Sequence, residues 1–252
     1  MFHRRDHKLL GVHIDDISLD EALRISEAWL REGGLHQVAT VGPEFILEAT
    51  ANPTFLRIIN SSALSLPEGI GVKVGFMLSG HRHRHRVPGV TYVAGLMSLA
   101  AHHGRSVFLY GGAPGVAADA ARELLRRYPG LKIAGVESGT RHIWGRVPDH
   151  RIAERIHHAK PDILLVALGA PKQELWIDRH RDALHDVKIA IGVGRTFDYL
   201  SGRVPEPPAW VRRFGVEWLH TFVNAGRLHQ PKMRRQRVKN ATFHFLRHVL
   251  TQ

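Results

Sequence analysis

The chain has no cysteine in its 252 residues. That absence excludes disulfides, thiol nucleophiles and cysteine-ligated metals, and it is compatible with a cytoplasmic protein. No run of about 18 apolar residues occurs, so no segment reads as a membrane-spanning helix. Met1–Leu10, MFHRRDHKLL, has no apolar core of signal-peptide length. Internal repeats and low-complexity blocks are missing too. Acidic side chains are scarce: 23 Asp and Glu stand against 35 Lys and Arg, a net charge of +12. The imbalance is concentrated at the end. Residues 201–252 hold ten Lys and Arg against only Glu206 and Glu217, so this fifth of the chain carries +8. Such a segment attracts anions, among them phospholipid head groups, pyrophosphates and nucleic acid. No helix-turn-helix or aromatic RNA-binding signature accompanies the charge, so nucleic acid is not the expected partner.

What is present is enough apolar sequence, 44% of the chain, for a sizeable core in one large α/β domain. Short apolar runs alternate with helical patterns. The strands expected are His36–Thr40, Ser62–Leu66, Ser106–Tyr110, Leu131–Val136, Ile163–Leu168 and Val187–Val193. Between them the 3.6-residue apolar period predicts helices over Ser18–Glu32, Pro43–Ala49, Phe55–Asn60, Tyr92–His103, Val116–Tyr128, Asp149–Ala159 and Lys172–Leu184. This alternation argues for a Rossmann-like α/β fold, a mostly parallel, doubly wound sheet with helices on both faces. Pro205, Pro207 and Pro208 mark a boundary. They separate a core, residues 1–201, from a basic C-terminal helical appendage, residues 202–252. Within the appendage Phe243–Leu250 is amphipathic. It suits either docking on an anionic membrane surface or packing on the domain.

Polar residues gather where strands meet helices. Pro161–Ile177, PDILLVALGAPKQELWI, runs from a buried strand through Gly169-Ala170-Pro171 into a helix beginning Lys172-Gln173-Glu174. In open α/β sheets ligands bind at such edges, and helix N-termini favour anions. An ordinary strand–turn–helix with a solvated start, Lys172 included, fits the same residues. Gly111-Gly112-Ala113-Pro114-Gly115 follows another strand. It matches neither G-x-x-x-x-G-K-[ST] nor G-x-G-x-x-G, so it points to a phosphate only through its glycines. Glu68 lies between Pro67 and Gly69 after a short strand, either as positioned chemistry or as a turn carboxylate in water. Asp198 follows the last strand. His81–Arg86, HRHRHR, reads as a solvated loop, because the arginines oppose a cation bound by its three histidines.

Taken in order and spacing, Val107–Gly115 (VFLYGGAPG), Tyr128-Pro129, Pro161–Ile177, Gly192–Asp198 and Gly215-Val216-Glu217-Trp218 resemble the WecG/TagA/CpsF family of bacterial glycosyltransferases. The resemblance spans roughly Lys8 to Arg237. It implies an inverting, metal-independent transferase of a hexose or N-acetylhexosamine-type sugar. The donor is a UDP-sugar and the acceptor a prenyl-diphosphate-linked glycan in cell-surface polysaccharide synthesis. It also implies a cytoplasmic enzyme, peripheral on the inner face of the membrane, with no cofactor and no metal. Consistent with this, the chain has no Asp-x-Asp. The family's general base is an Asp before Gly, a position held here by Glu68. Thr40, Gly42, Arg86, Gly111, Gly112, Gly169, Pro171, Lys172, Gln173, Asp198 and the appendage residues Arg212, Arg213 and Arg227 are the implied donor, acceptor and pyrophosphate contacts. A homo-oligomer is compatible with the sequence.

The chain departs from the family pattern at five places. Gly42 stands for the usual Asn, Glu68 for Asp, Thr91 for Asp, Glu206 for Arg and Thr221 for Arg. Glu68 keeps a carboxylate but carries it one methylene further. A catalytically altered member, binding nucleotide-sugar or lipid-linked glycan without turnover, is the alternative these changes suggest.

Overall fold

A computed structural model describes residues 7–139, 150–206, 208, 211, 244, 245 and 247–250. By internal contacts the chain divides into two units. One comprises residues 1–19, 39–88 and 204–252; the other comprises 20–38 and 89–203.

The main sheet has six strands in the order β4-β3-β8-β7-β5-β6. They are β3 His36–Val41, β4 Leu64–Pro67, β5 Ser106–Gly111, β6 Lys132–Glu137, β7 Ile163–Ala167 and β8 Ile189–Gly192. The pairings β3–β8, β8–β7, β7–β5 and β5–β6 are all parallel. The fold is therefore the parallel α/β sheet flanked by helices that the alternation predicts. All five residues of β7 are buried, and it is paired on both sides. Its unbroken apolar run follows from that position, since neither face meets water. A two-stranded hairpin, β1 Lys8–Leu9 with β2 Val12–His13, precedes the sheet.

The helices are α1 Leu19–Trp29, α2 Pro43–Ala51, α3 Pro53–Ser61, α4 Ile70–Leu78, α5 Gly89–His102, α6 Val116–Arg127, α7 His150–Ala159, α8 Lys172–Arg179 and α9 Thr196–Leu200. Asn52 separates α2 from α3 and caps the second, its side-chain oxygen accepting from Phe55 N–H at 3.1 Å. Helix α8 is shorter than the apolar period predicts. It stops at His180, and residues 181–184 form a separate 3-10 turn.

Each unit has an apolar cluster of its own. In the second unit Trp176, Ile177, Leu164, Val166, Ile156 and Tyr110 pack among others. In the first, Leu9, Ile46, Phe55, Val72 and Phe76 pack with Phe245 and Val249 from the end of the chain. Of the two readings of Phe243–Leu250, packing on the domain therefore applies to Phe245 and Val249. Leu250 is 68% exposed.

Candidate functional site

In the first unit, three expected residues meet where β3 and β4 end. Thr40 is buried one residue before the end of β3. The Glu68 N–H donates to the Val41 carbonyl at 2.8 Å, which sets the carboxylate-bearing residue beside that strand end. A Cβ placed on Gly42 would lie 3.6 Å from the Glu68 carbonyl oxygen, an ordinary contact. Gly42 has φ −108° and ψ 179° and caps α2 without any side-chain bond. No feature of the backbone therefore requires glycine there. Val87 N–H donates to the Pro67 carbonyl at 2.9 Å, so Arg86 enters the same neighbourhood one residue before a fixed point.

Residues 81–86 are not solvated throughout, contrary to the expectation from sequence. His83 is only 4% exposed and stacks on Phe76 at 4.6 Å. The cause is Asp16, which lies just before α1. Its Oδ1 accepts from the Arg84 and His85 backbone N–H groups at 3.0 Å each and lies 3.0 Å from His85 Nδ1. Burial alone would raise the Asp16 pKa, but the two backbone donors and the charge of His83 outweigh it and hold the carboxyl below its ordinary value. Burial pushes His83 toward its neutral form, with Asp16 opposing. Its neighbour Asp15 accepts from Ser65 N–H at 2.7 Å and meets His13 Nε2 at 3.0 Å. Both carboxylates therefore brace the segments leading to Glu68 and Arg86. Their signal in the sequence was an adjacent acidic pair between Ile14 and Ile17, in a region otherwise apolar.

In the second unit, the C-terminal ends of β5, β7 and β8 lie along one sheet edge. Gly111 sits so close to β7 that a Cβ would fall 2.5 Å from the Ala167 carbonyl oxygen. Gly112 N–H donates to that same oxygen at 2.9 Å. Gly111 is thus required by strand packing and Gly112 favoured by its φ of +74°, whatever ligand they meet. Gly169 follows β7 with φ +78°, and a cis Ala170-Pro171 bond leads into α8, with Pro171 as its N-cap. Lys172 opens the helix. Gln173 is 3% exposed. Its Oε1 accepts from Gly169 N–H and from Gly194 N–H, both at 3.1 Å. Its Nε2 donates to Glu174 Oε1 at 2.7 Å. One amide thereby joins the turn after β7 to the turn after β8, from which Asp198 is carried in the first turn of α9.

Glu174, unremarked in the sequence, is completely buried. Its Oε2 has no hydrogen-bond partner. Burial raises its pKa to about 7, with Gln173 opposing. Gly192, the last residue of β8, explains the tightness. A Cβ there would fall 2.3 Å from Gln173 Nε2 and 2.4 Å from Glu174 Oε1. Arg212, Arg213, Arg227 and Thr221 lie outside the described residues, as does most of the appendage. No helix among the described residues is long and apolar enough to cross a membrane.

Comparison with known proteins connects the chain to a reaction class. Residues 7–252 match the family model described as glycosyl transferase WecG/TagA/CpsF family. A protein of Bacillus spizizenii is 35% identical over 187 residues, 74% of this chain and 70% of that protein. One from Bacillus subtilis is 32% identical over 186 residues, with the same coverage. One from Staphylococcus aureus is 27% identical over 218 residues, 84% of this chain and 82% of its own. All three are named N-acetylglucosaminyldiphosphoundecaprenol N-acetyl-beta-D-mannosaminyltransferase. With a match running from the first described residue to the end of the sequence, the chain belongs to the WecG/TagA/CpsF family and is a glycosyltransferase.

Proposed function

We propose that the protein transfers an N-acetylhexosamine-type sugar, N-acetylmannosamine above all, from a UDP-sugar to an N-acetylglucosaminyl group carried on a prenyl diphosphate. The observation that carries this reading is the 35% identity over 187 residues to a transferase named for that acceptor and that sugar. The site geometry is in keeping with it. Glu68 acts as general base, taking the proton of the acceptor hydroxyl as its oxygen bonds to the anomeric carbon. The bond from that carbon to the UDP oxygen breaks with inversion, and the electron pair leaves on UDP. Arg86, with Arg212, Arg213 and Arg227, meets the negative charge that develops there. In this reading Gly111, Gly112, Gly169, Pro171, Lys172 and Asp198 are contacts of the nucleotide-sugar, and Thr40 and Gly42 are contacts of the acceptor. Gln173 is a positioning residue, since its amide is engaged by the two turns and Glu174.

Contact with the inner membrane surface brings the enzyme to its lipid-linked acceptor. Met77, Leu78 and Leu250 are exposed apolar side chains of the first unit, and with the basic charge of the C-terminal segment they suit an anionic lipid surface.

The test is Glu68→Gln, assayed for UDP release with UDP-N-acetylmannosamine and a prenyl-diphosphate-linked N-acetylglucosamine. Release should fall by roughly 10²–10⁴-fold while donor binding survives; undiminished turnover would reject Glu68 as the base. Gly42 and Glu68 favour a second reading, a member that binds these molecules without turnover. Turnover by the unaltered protein with any UDP-sugar and prenyl-diphosphate acceptor removes it.

A further inference from the structure

We propose that His157, His185 and Asp186 form a binding site for one borderline transition-metal dication, with Zn2+ the best match, apart from the transfer chemistry. Asp186 Oδ2 lies 3.5 Å from His157 Nδ1 and 3.7 Å from His185 Nε2. All three donor atoms fall within 4.8 Å of one another. These separations are too long for hydrogen bonds. His157 Nδ1 and Asp186 Oδ2 are both buried atoms, and neither has a hydrogen-bond partner. A proton shared between imidazole and carboxylate would draw such a pair to about 2.8 Å.

The spacing suits a metal better. Tetrahedral zinc bonds nitrogen and carboxylate oxygen at about 2.0–2.2 Å, which puts neighbouring ligand atoms about 3.4 Å apart. The two measured edges are within a few tenths of an ångström of that. The protonation pattern is also suitable. His185 Nδ1 lies 2.9 Å from the Asp182 carbonyl oxygen, and a carbonyl only accepts, so Nδ1 carries the proton and Nε2 keeps its lone pair. The two rings are tilted by 51° with centroids 4.8 Å apart, which leaves their nitrogens turned toward one carboxylate. Two imidazole nitrogens and one carboxylate oxygen select zinc-like ions over calcium or magnesium, which take oxygen ligands. A water completes the fourth position.

The place in the fold separates this site from sugar transfer. His157 lies in the last turn of α7, which precedes β7, and His185 and Asp186 precede β8. Because β7 and β8 are parallel, the cluster sits at their N-terminal ends, on the edge opposite Gly169 and Gly194. A bound ion would tie α7 to the segment that enters β8 and act as a staple within the second unit.

The test is a titration of tag-free, metal-stripped protein with Zn2+ in competition with a chromophoric chelator. One equivalent should bind, and chelator should lower the unfolding temperature of the metal-loaded chain. His185→Ala, at an exposed position, and Asp186→Asn should each weaken binding by at least ~10-fold and abolish the chelator effect. UDP-sugar binding should be unchanged in both. Absence of a stoichiometric site overturns the proposal. So does binding that survives both variants and is lost instead in a His81→Ala, His85→Ala double variant.

Discussion

Gln173 and Gly194 are joined by a hydrogen bond of 3.1 Å in which the glycine N–H donates to the side-chain oxygen. Gly169 donates to the same oxygen. Gln173→Ala therefore removes one acceptor from two turns and leaves two backbone donors without it. A cost of about 2 kcal/mol in stability is expected, measured by urea unfolding, together with weaker donor binding. Gly192→Ala should do comparable harm from the other side, since its Cβ would overlap Gln173 and Glu174. Unchanged donor affinity in both variants would contradict the positioning role.

Glu174 gives the stability a pH dependence of defined sign. In the folded chain its carboxyl ionises near 7, against an ordinary 4.5. Between those values the folded state keeps a proton that the unfolded chain has released. Stability from this group is therefore greatest below pH 4.5, falls as pH rises toward 7, and then levels off, by about 3 kcal/mol in all. Glu174→Gln keeps the shape and the neutral state and should remove this component. Urea midpoints for both proteins across that range check it; parallel pH profiles would refute the assignment.

Gly42→Asn should help rather than harm. The position caps α2, its φ and ψ are accessible to any residue, and the nearest atom to a new Cβ is 3.6 Å away. An Asn cap in place of Gly should add a few tenths of a kcal/mol. The amide also returns a polar contact beside Glu68, so KM for a substrate should fall. A variant that unfolds more easily would show that glycine is required after all.

Asp16→Ala should release residues 84 and 85, leaving their N–H groups without the acceptor that now holds them. We expect a loss of about 2 kcal/mol and a rise in KM for the UDP-sugar through Arg86. Asp16→Asn, which keeps one acceptor oxygen, should recover part of both. A change in neither quantity would detach the loop from the site.

Much of the fold was legible because it is local. The strands β3, β5, β7 and β8 are short apolar runs, and their buried positions follow directly. The boundaries failed where distant residues intervene. Helix α8 is a local exception: it ends early at His180, where the backbone N–H and the ring Nδ1 both reach the Trp176 carbonyl, at 3.1 and 2.9 Å, and nothing in the apolar period signals that. Helix α4 was unreadable because Gly69, Gly71 and Gly75 look like turn residues. Two of them are glycine for tertiary reasons: a Cβ on Gly71 would strike Pro43 at 2.6 Å, and one on Gly75 would strike Leu9 and Phe245 at 2.7 Å. In the candidate site, the strand-end positions were legible because topology places them. Asp16 was not, since its partners lie 68 and 69 residues away. Glu174 was hidden for another reason: in sequence a helix-start glutamate looks like any solvated one.

Phe245 and Val249 belong to the same apolar cluster as Leu9, Ile46 and Phe76. Drawing those two side chains into a bilayer would strip each from that core, at roughly 1.5–3 kcal/mol apiece, before lipid offered any return. For these two side chains, anchoring in lipid and folding of the first unit are mutually exclusive. Under the proposed membrane contact, lipid would therefore meet only the outward side, where the exposed Leu250 and Arg247 stand, and adsorption would leave the fold intact.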